Sequence, residues 1–311
     1  MRLGVLDVGS NTVHLLVVDA RRGGHPTPTH SSKSVLRLAE NLTKSGRLSP
    51  AGEQSLVDAV ARAKKEARSE GCDDLLAFAT SAVRDASNSA EVLAHVQHKT
   101  GVELEVLTGE DEARLTFLAV RRWYGWSAGR LLDLDIGGGS LEIAVGVDEE
   151  PELAISIPLG AGRMAREFLR GDPPDKKRVV ELREHAEACM AKPAKEIAAV
   201  GPVDRIVGTS KTFRSLARLT GAAPSSVGPR ASRHLTREGL AQLIGFISRI
   251  SSADLAELDG VSATRSGQLL AGAVVAEVAM RTLGLGAVQI CPWALREGVI
   301  LRRLDWLEGV S

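Results

Sequence analysis

LLDLDIGGGSLEIAVG, residues 131–146, decides how this chain is read. An apolar run is broken by Gly137, Gly138 and Gly139, and a second apolar run follows at once. Asp133 and Asp135 precede the glycines, and Glu142 follows them. Without a Cβ, consecutive glycines let their backbone N–H groups converge on one concavity, which suits an anion. Ser140 adds a hydroxyl donor. Carboxylates repel phosphate, so their presence makes sense only if a divalent cation with oxygen ligands sits between them. A Walker A loop is excluded: there is no Gly-Lys-Ser/Thr, and the glycines lead into a strand rather than a helix.

The same pattern occurs at the N-terminus. Leu6-Asp7-Val8-Gly9-Ser10-Asn11-Thr12 matches Leu134-Asp135-Ile136-Gly137-Gly138-Gly139-Ser140 at a constant offset of 128 residues. In each copy an acid ends a strand, small residues turn the chain, a hydroxyl residue closes the turn, and a second strand begins. Two copies so far apart indicate a duplicated domain rather than a short repeat. Asp133 has Val5 as its counterpart, points to the alternate face, and is read as structural. His14 stands opposite Glu142 in the repeat, either as a strand histidine bonded to backbone or as a site group.

Outward from these hairpins, helical periodicity covers 49–70, 109–123, 176–198, 236–250 and 269–284, with a further helix over 91–100 and one at the C-terminus. Strands are expected at 3–8, 13–19, 75–80, 102–107, 154–157, 205–210 and 287–291. Residues 23–32 (GGHPTPTHSS) read as a loop by composition, and 171–175 as a turn. This alternation indicates a mixed α/β chain.

With 311 residues, the chain is long enough for two domains. Lys+Arg and Asp+Glu number 39 each, so net charge supplies no bulk grip on nucleic acid or membrane. Cys72, Cys189 and Cys291 form no CxxC pair, which argues against a zinc ribbon or disulfide framework. No signal peptide or apolar membrane span is legible, so a cytoplasmic protein is expected. Arg121-Arg122, Lys176-Lys177-Arg178 and Arg302-Arg303 read as solvated faces. Lys211, Arg214, Arg230 and Arg233 are candidates for a polyanion groove.

These stretches resemble a family. LDVGSNTVHLLV and LDIGGGSLEIAV look like the two phosphate-binding hairpins of the exopolyphosphatase / guanosine pentaphosphate phosphohydrolase (Ppx/GppA) family. ATSAVRDASN (79–88), TGEDEARLTFLAV (108–120) and WALREGVIL (293–301) resemble its further motifs, in the family's order. The resemblance spans nearly the whole chain. It implies two actin-like (ribonuclease H-like) α/β domains of the sugar kinase/heat-shock chaperone/actin superfamily with a cleft between them, expected here at 1–124 and 125–311 in a short two-domain form. The last helix is allowed to pack back on the first domain.

The resemblance also implies hydrolysis of the terminal phosphoanhydride of inorganic polyphosphate, with short chains expected, or of the 5′ phosphate of pppGpp. A catalytically weak ppGpp or polyphosphate sensor and a sugar or acetate kinase are the alternatives. By motif position Glu112 is implied as the catalytic base, with a carboxylate favouring the helix dipole as the plain alternative. Gly9, Ser10, Asn11 and Thr12, and Gly137 to Ser140, are implied as phosphate loops. Arg84 is implied as a phosphate clamp, with an exposed salt bridge as its alternative. Asp135 and Glu142 are implied as carboxylates of a Mg²⁺ (or Mn²⁺) site, with Asp7 as a further candidate. The family's usual GTGGT-type loop is Gly208-Thr209-Ser210-Lys211-Thr212 here, with lysine in place of a glycine, and ATRSGQL leaves Arg265 as the phosphate candidate of the usual ERAD stretch. Lys211 and Thr212 complete the phosphate-binding set. Members of the family it resembles often form homodimers, though no interface signature is legible in this sequence, and neither nucleic acid nor membrane is an expected partner.

Overall fold

The structure is a computed structural model that describes residues 1–21 and 24–308. The chain forms two compact units. The first comprises Met1–Glu112 together with the chain from Arg296 onward, and the second comprises Ala113–Leu295. The division falls after Glu112 rather than after Tyr124, and the C-terminal helix belongs to the first unit.

In the first unit β1 (Arg2–Val8) and β2 (Thr12–Asp19) form the opening hairpin, followed by β3 (Pro28–Val35), α1 (Pro50–Ser69), β4 (Asp74–Ala79), α2 (Ser81–Arg84), α3 (Ser89–Thr100) and β5 (Glu105–Val106). Helix α4 (Gly109–Tyr124) carries the chain onward. Its sheet has the order β3-β2-β1-β4-β5, with β1 antiparallel to β2 and parallel to β4. Leu3, Val5, Leu6 and Val8 are fully buried, as continuous apolar runs require in a central strand. Of these, Leu6 and Val8 share one core with Leu56, Val60 and Ala63 of α1.

The second unit contains β6 (Leu131–Ile136), β7 (Leu141–Gly146), β8 (Leu153–Ile157), α5 (Ala161–Phe168), α6 (Lys176–Val200), β9 (Arg205–Gly208), α7 (Ser210–Leu219), β10 (His234–Thr236), α8 (Arg237–Ile247), α9 (Ser252–Ala256), α10 (Ser266–Thr282) and β11 (Ala287–Ile290). Helix α11 (Leu295–Glu308) ends the chain. The sheet order is β10-β11-β9-β6-β7-β8. Again the opening hairpin is antiparallel, and its first strand runs parallel to the strand that follows the crossover. Strands β8-β7-β6-β9-β11 thus repeat β3-β2-β1-β4-β5, and the duplication inferred from one turn extends to the whole sheet. Helix α10, nearly all buried, forms the centre of the second core.

Several sequence expectations need correction. Residues 28–32, read as loop, belong to edge strand β3, whose alternating burial and N-terminal Pro28 suit an edge that faces water. Gly23 of that stretch lies outside the described residues. The strand expected over 102–107 shrinks to Glu105–Val106. Helices α5 and α7 were not anticipated, because each is short, at eight and ten residues. Among the described residues, no helix is long and apolar enough to cross a membrane.

Arg121 overturns the reading of Arg121-Arg122 as a solvated face. It is fully buried, and its guanidinium donates to the carbonyls of Gly125, Gly129 and Gly146, at 3.2, 2.7 and 3.0 Å. It thereby ties α4 to the loop after it and to the end of β7. Arg122 pairs with Glu149, and Arg303 with Asp74, both at 2.7–2.8 Å. Arg233 is spent on the carbonyls of Ala223, Pro224, Gly228 and Ala231, and Arg230 lies over the Trp123 ring, so neither supports the groove expectation. Replacing Arg121 by Met leaves three carbonyl acceptors, that of Gly146 buried, without their donor, and unfolding in urea is expected to show a loss of about 3 kcal/mol.

Candidate functional site

Both predicted turns have the same backbone geometry. Gly9 N–H donates to the Thr12 carbonyl at 3.0 Å, and Gly137 N–H to the Ser140 carbonyl at 2.9 Å. Each turn also has its carbonyls taken up from behind. The Ser10 and Asn11 carbonyls accept from the amides of Leu36, Arg37 and Ala39. The Gly137 and Gly138 carbonyls accept from Ala161 and Arg163, in the first turn of α5. With carbonyl dipoles turned away in this manner, negative charge is reduced at the front of each turn, as an anion cradle requires.

Gly160, which sequence reasoning did not single out, makes the second cradle. A Cβ there would lie 2.2 Å from the Gly139 carbonyl carbon and 2.3 Å from the Ser140 nitrogen. Only glycine allows the start of α5 to rest against the turn. Pro158-Leu159-Gly160-Ala161-Gly162, a run of small residues after a strand, was the available signal.

The duplication continues in the strand that follows each crossover. Thr80 N–H donates to the Val8 carbonyl at 3.1 Å, and Thr209 N–H to the Leu134 carbonyl at 2.9 Å. Both threonines are buried immediately before a helix. In the first unit the neighbouring Ser81 hydroxyl meets the Ser10 hydroxyl at 3.0 Å and steadies the turn. In the second unit the Thr209 hydroxyl donates to Asp135 Oδ2 at 2.7 Å.

Asp135 and Glu142 face each other across the β6–β7 ladder. The Ser156 hydroxyl on β8 donates to Glu142 Oε1 at 2.9 Å. Each carboxylate is therefore held at one oxygen by a neutral hydroxyl, and the pair presents hard oxygen donors of the kind Mg²⁺ takes, one or two at a time, from protein. Among the described residues, no group of three or more His, Cys, Asp and Glu gathers as a metal cage. Two carboxylates completed by phosphate oxygens and water fit Mg²⁺ without such a cage. Asp7 is placed differently: its carboxylate lies 3.8 Å from the Arg296 guanidinium rather than across from a second acid.

Glu112 sits in the first turn of α4 and is buried. It forms a close ion pair with Arg84, whose guanidinium also donates to the Leu107 carbonyl at 3.0 Å and to Asp85 at 3.2 Å. Burial disfavours the Arg84 charge, but Glu112 and then Asp85 outweigh it, and the guanidinium holds its proton more firmly than usual. Arg84 is thus paired with Glu112 away from open solvent rather than in an exposed salt bridge.

The 208–212 segment and Arg265 divide. The Thr212 hydroxyl donates to the Ile136 carbonyl at 2.9 Å, and its methyl group abuts Gly272 on α10, which makes it a packing residue beneath the turn. Ser210 begins α7 at φ 63°, the left-handed conformation that favours glycine. Lys211 is exposed and reaches the Gly260 carbonyl at 3.4 Å. Arg265 immediately precedes α10 and is half-buried.

Asp133 is buried as its alternate-face position suggested, and its Oδ1 has no hydrogen-bond partner. Burial, and next the charge of Asp135, push its carboxyl well above the ordinary 3.8. A raised folded-state value means that the native chain keeps a proton which the unfolded chain has already released. Stability is therefore lost as pH rises from 3.8 toward the folded value. Asp133→Asn removes this dependence, so its stability relative to wild type should improve from pH 4 to pH 7 in paired denaturation curves, roughly the interval above the ordinary value. For the turn itself, Gly160→Ala should weaken tripolyphosphate binding by calorimetry on the order of tenfold, about the worth of one charge-assisted hydrogen bond.

Comparison with known proteins agrees with this geometry. The Ppx/GppA phosphatase family profile matches residues 17–306. Exopolyphosphatase 1 of Mycobacterium tuberculosis (strain ATCC 25618 / H37Rv) is 64% identical over 305 residues, covering 98% of this chain and 89% of that protein. Among solved structures, an exopolyphosphatase from Cytophaga hutchinsonii has a TM-score of 0.87 at 24% identity over 98% of both chains, a likeness of fold. The PPX-GPPA enzyme of Aquifex aeolicus has a TM-score of 0.79 at 26% identity, covering 97% of this chain and 99% of that one. The two mixed sheets are those of the actin-like fold expected from the motifs. From its hairpins to its C-terminal helix, the chain belongs to the Ppx/GppA phosphatase family.

Proposed function

We propose that the chain is an exopolyphosphatase, which releases terminal orthophosphate from inorganic polyphosphate by hydrolysis. The observation that carries this reading is the 64% identity, over 98% of the chain, to a protein named Exopolyphosphatase 1. The site chemistry supports it. A phosphoanhydride needs an oriented water, a proton acceptor and neutralised charge on the transferring group, with little covalent work from the protein.

Glu112 is the base in this reading. Its pairing with Arg84 favours the carboxylate form, which alone accepts a proton from water. As the water oxygen bonds to the terminal phosphorus, its proton passes to Glu112, and the bond to the bridging oxygen breaks. Orthophosphate leaves, together with a polyphosphate one unit shorter. The Gly9–Thr12 and Gly137–Ser140 turns bind phosphate oxygens through backbone N–H groups and hydroxyls. Asp135 and Glu142, held by Thr209 and Ser156, are the residues that would hold Mg²⁺. That ion would supply positive charge to the phosphoryl oxygens. Mg²⁺ dependence and a cytoplasmic location belong to the proposal.

The test is phosphate release from short polyphosphate, pppGpp and ATP, with wild type beside Glu112→Gln. The expected outcome is turnover of polyphosphate, reduced in the variant by roughly 10²–10⁴-fold. Unchanged turnover in Glu112→Gln removes the base assignment. Cleavage of pppGpp alone replaces the substrate, and binding without turnover replaces the enzyme by a sensor.

A further inference from the structure

The first phosphate turn is braced from α2 by a contact that its copy cannot make. The Ser10 and Ser81 hydroxyls meet at 3.0 Å, and the two residues are only 8% and 6% exposed. In the repeat Ser10 has Gly138 as its counterpart, which carries no hydroxyl. The crossover strand of the second unit also meets its hairpin two residues earlier. Gly208 pairs with Leu134, whereas Ala79 pairs with Val8, the counterpart of Ile136. Ser210, which begins α7 as Ser81 begins α2, instead accepts from the Phe213 amide at 3.4 Å. A buried hydroxyl pair that one copy does without is not a requirement of the fold.

Helix α2 is a single turn with Ser81 as its first residue and Arg84 as its last. The Arg84 amide donates to the Thr80 carbonyl at 3.0 Å, and the Asp85 amide to the Ser81 carbonyl at 2.9 Å. Ala82 and Val83 between the two ends are buried, and the Thr80 amide fixes the start of the turn to Val8 of β1. The ends therefore keep a constant spacing, about 4.5 Å along the axis. One end reaches Ser10. The other carries the guanidinium that pairs with Glu112 and donates to the Leu107 carbonyl at 3.0 Å, just before α4. Ser10, Ser81, Arg84 and Glu112 all lie within the first unit. Two hydroxyls carry two hydrogens, and their mutual bond uses one. When Ser81 is the donor, the Ser10 hydrogen is left for a phosphate oxygen, and the chain of donors is polarised in one direction.

We propose that α2 is a strut between the first phosphate turn and the base, with Ser81 as a positioning residue at its far end. Ser81 donates to Ser10 and turns the Ser10 hydrogen toward bound phosphate. The same turn of helix holds Arg84, and through it Glu112, at a constant reach from that phosphate. The attacking water must lie about 3 Å from both the base and the phosphorus, so an error in this spacing costs rate. The strut rests on the base and phosphate-turn readings given above, whereas the Ser10–Ser81 brace rests on the phosphate turn alone.

Double-mutant cycles on the full chain test it, read as tripolyphosphate binding by calorimetry and as phosphate release. Ser10→Ala should weaken binding about tenfold, the worth of one hydrogen bond to a charged group. Ser81→Ala should weaken it about threefold, because the Ser10 side chain then chooses among three rotamers. It should also lower kcat about tenfold through a displaced base. In a Ser10→Ala background Ser81→Ala should add nothing to the binding loss, and in a Glu112→Gln background it should lower kcat no further. Ser81→Thr keeps the hydroxyl and should restore both readouts. If circular dichroism shows Ser81→Ala unfolded, Ser81→Cys, close in volume but a weak donor, replaces it in the cycles. Binding losses that add, or wild-type binding and kcat in a folded Ser81 variant, overturn the proposal. A further tenfold fall in kcat on the Glu112→Gln background overturns the strut. Unchanged turnover in Glu112→Gln alone refutes the base reading and the strut with it, and non-additive binding would still uphold Ser81 as the brace of Ser10.

Discussion

An anion cradle made of backbone must turn its carbonyls away, and a chain can do so only if something behind it takes them up. That constraint organises both units. In each, the first glycine of the turn donates to the carbonyl of its last residue. A later segment then approaches the other carbonyls closely enough to donate to them. In the second unit this approach is so close that no Cβ fits at Gly160. The helix that follows, the packing of Thr212 and Gly272 beneath the turn, and the strand order that brings Thr209 beside Asp135 all depend on the same seating.

The acids around these turns divide by what balances them. Asp133 has no balancing cation, and burial pushes its carboxyl well above the ordinary carboxylate range. Glu112 is balanced by Arg84, and Asp7 by Arg296. Asp135 and Glu142 receive hydroxyl donors, which orient a carboxylate without cancelling its charge. The neighbours of these five acids give them different chemistry.

Much was legible in the sequence because it is local. Strands β1, β2, β6 and β7 are continuous apolar runs, and the glycine-rich turns between them admit few other conformations. The duplication was visible at the turns, where residue identity is constrained, and invisible in β4–α2 and β9–α7, where Ala-Thr-Ser and Gly-Thr-Ser share a backbone pattern in two different sequence settings. Strand β3 was missed because an edge strand has no need of an apolar face. Arg121 and Arg233 were misread because a buried guanidinium spent on carbonyls has no sequence signature: its partners lie in irregular loops.

The sequence by itself determined the α/β class, the two cradles, the family and the residue types gathered at each turn, because glycine stereochemistry and strand hydrophobicity act over a few neighbouring residues. Only the tertiary structure decided which acid meets which cation. Arg84 lies 28 residues from Glu112, and Arg296 lies 282 residues from His14. Charge pairing is settled by distance in space, and over such separations the order of residues in the chain carries no information about it.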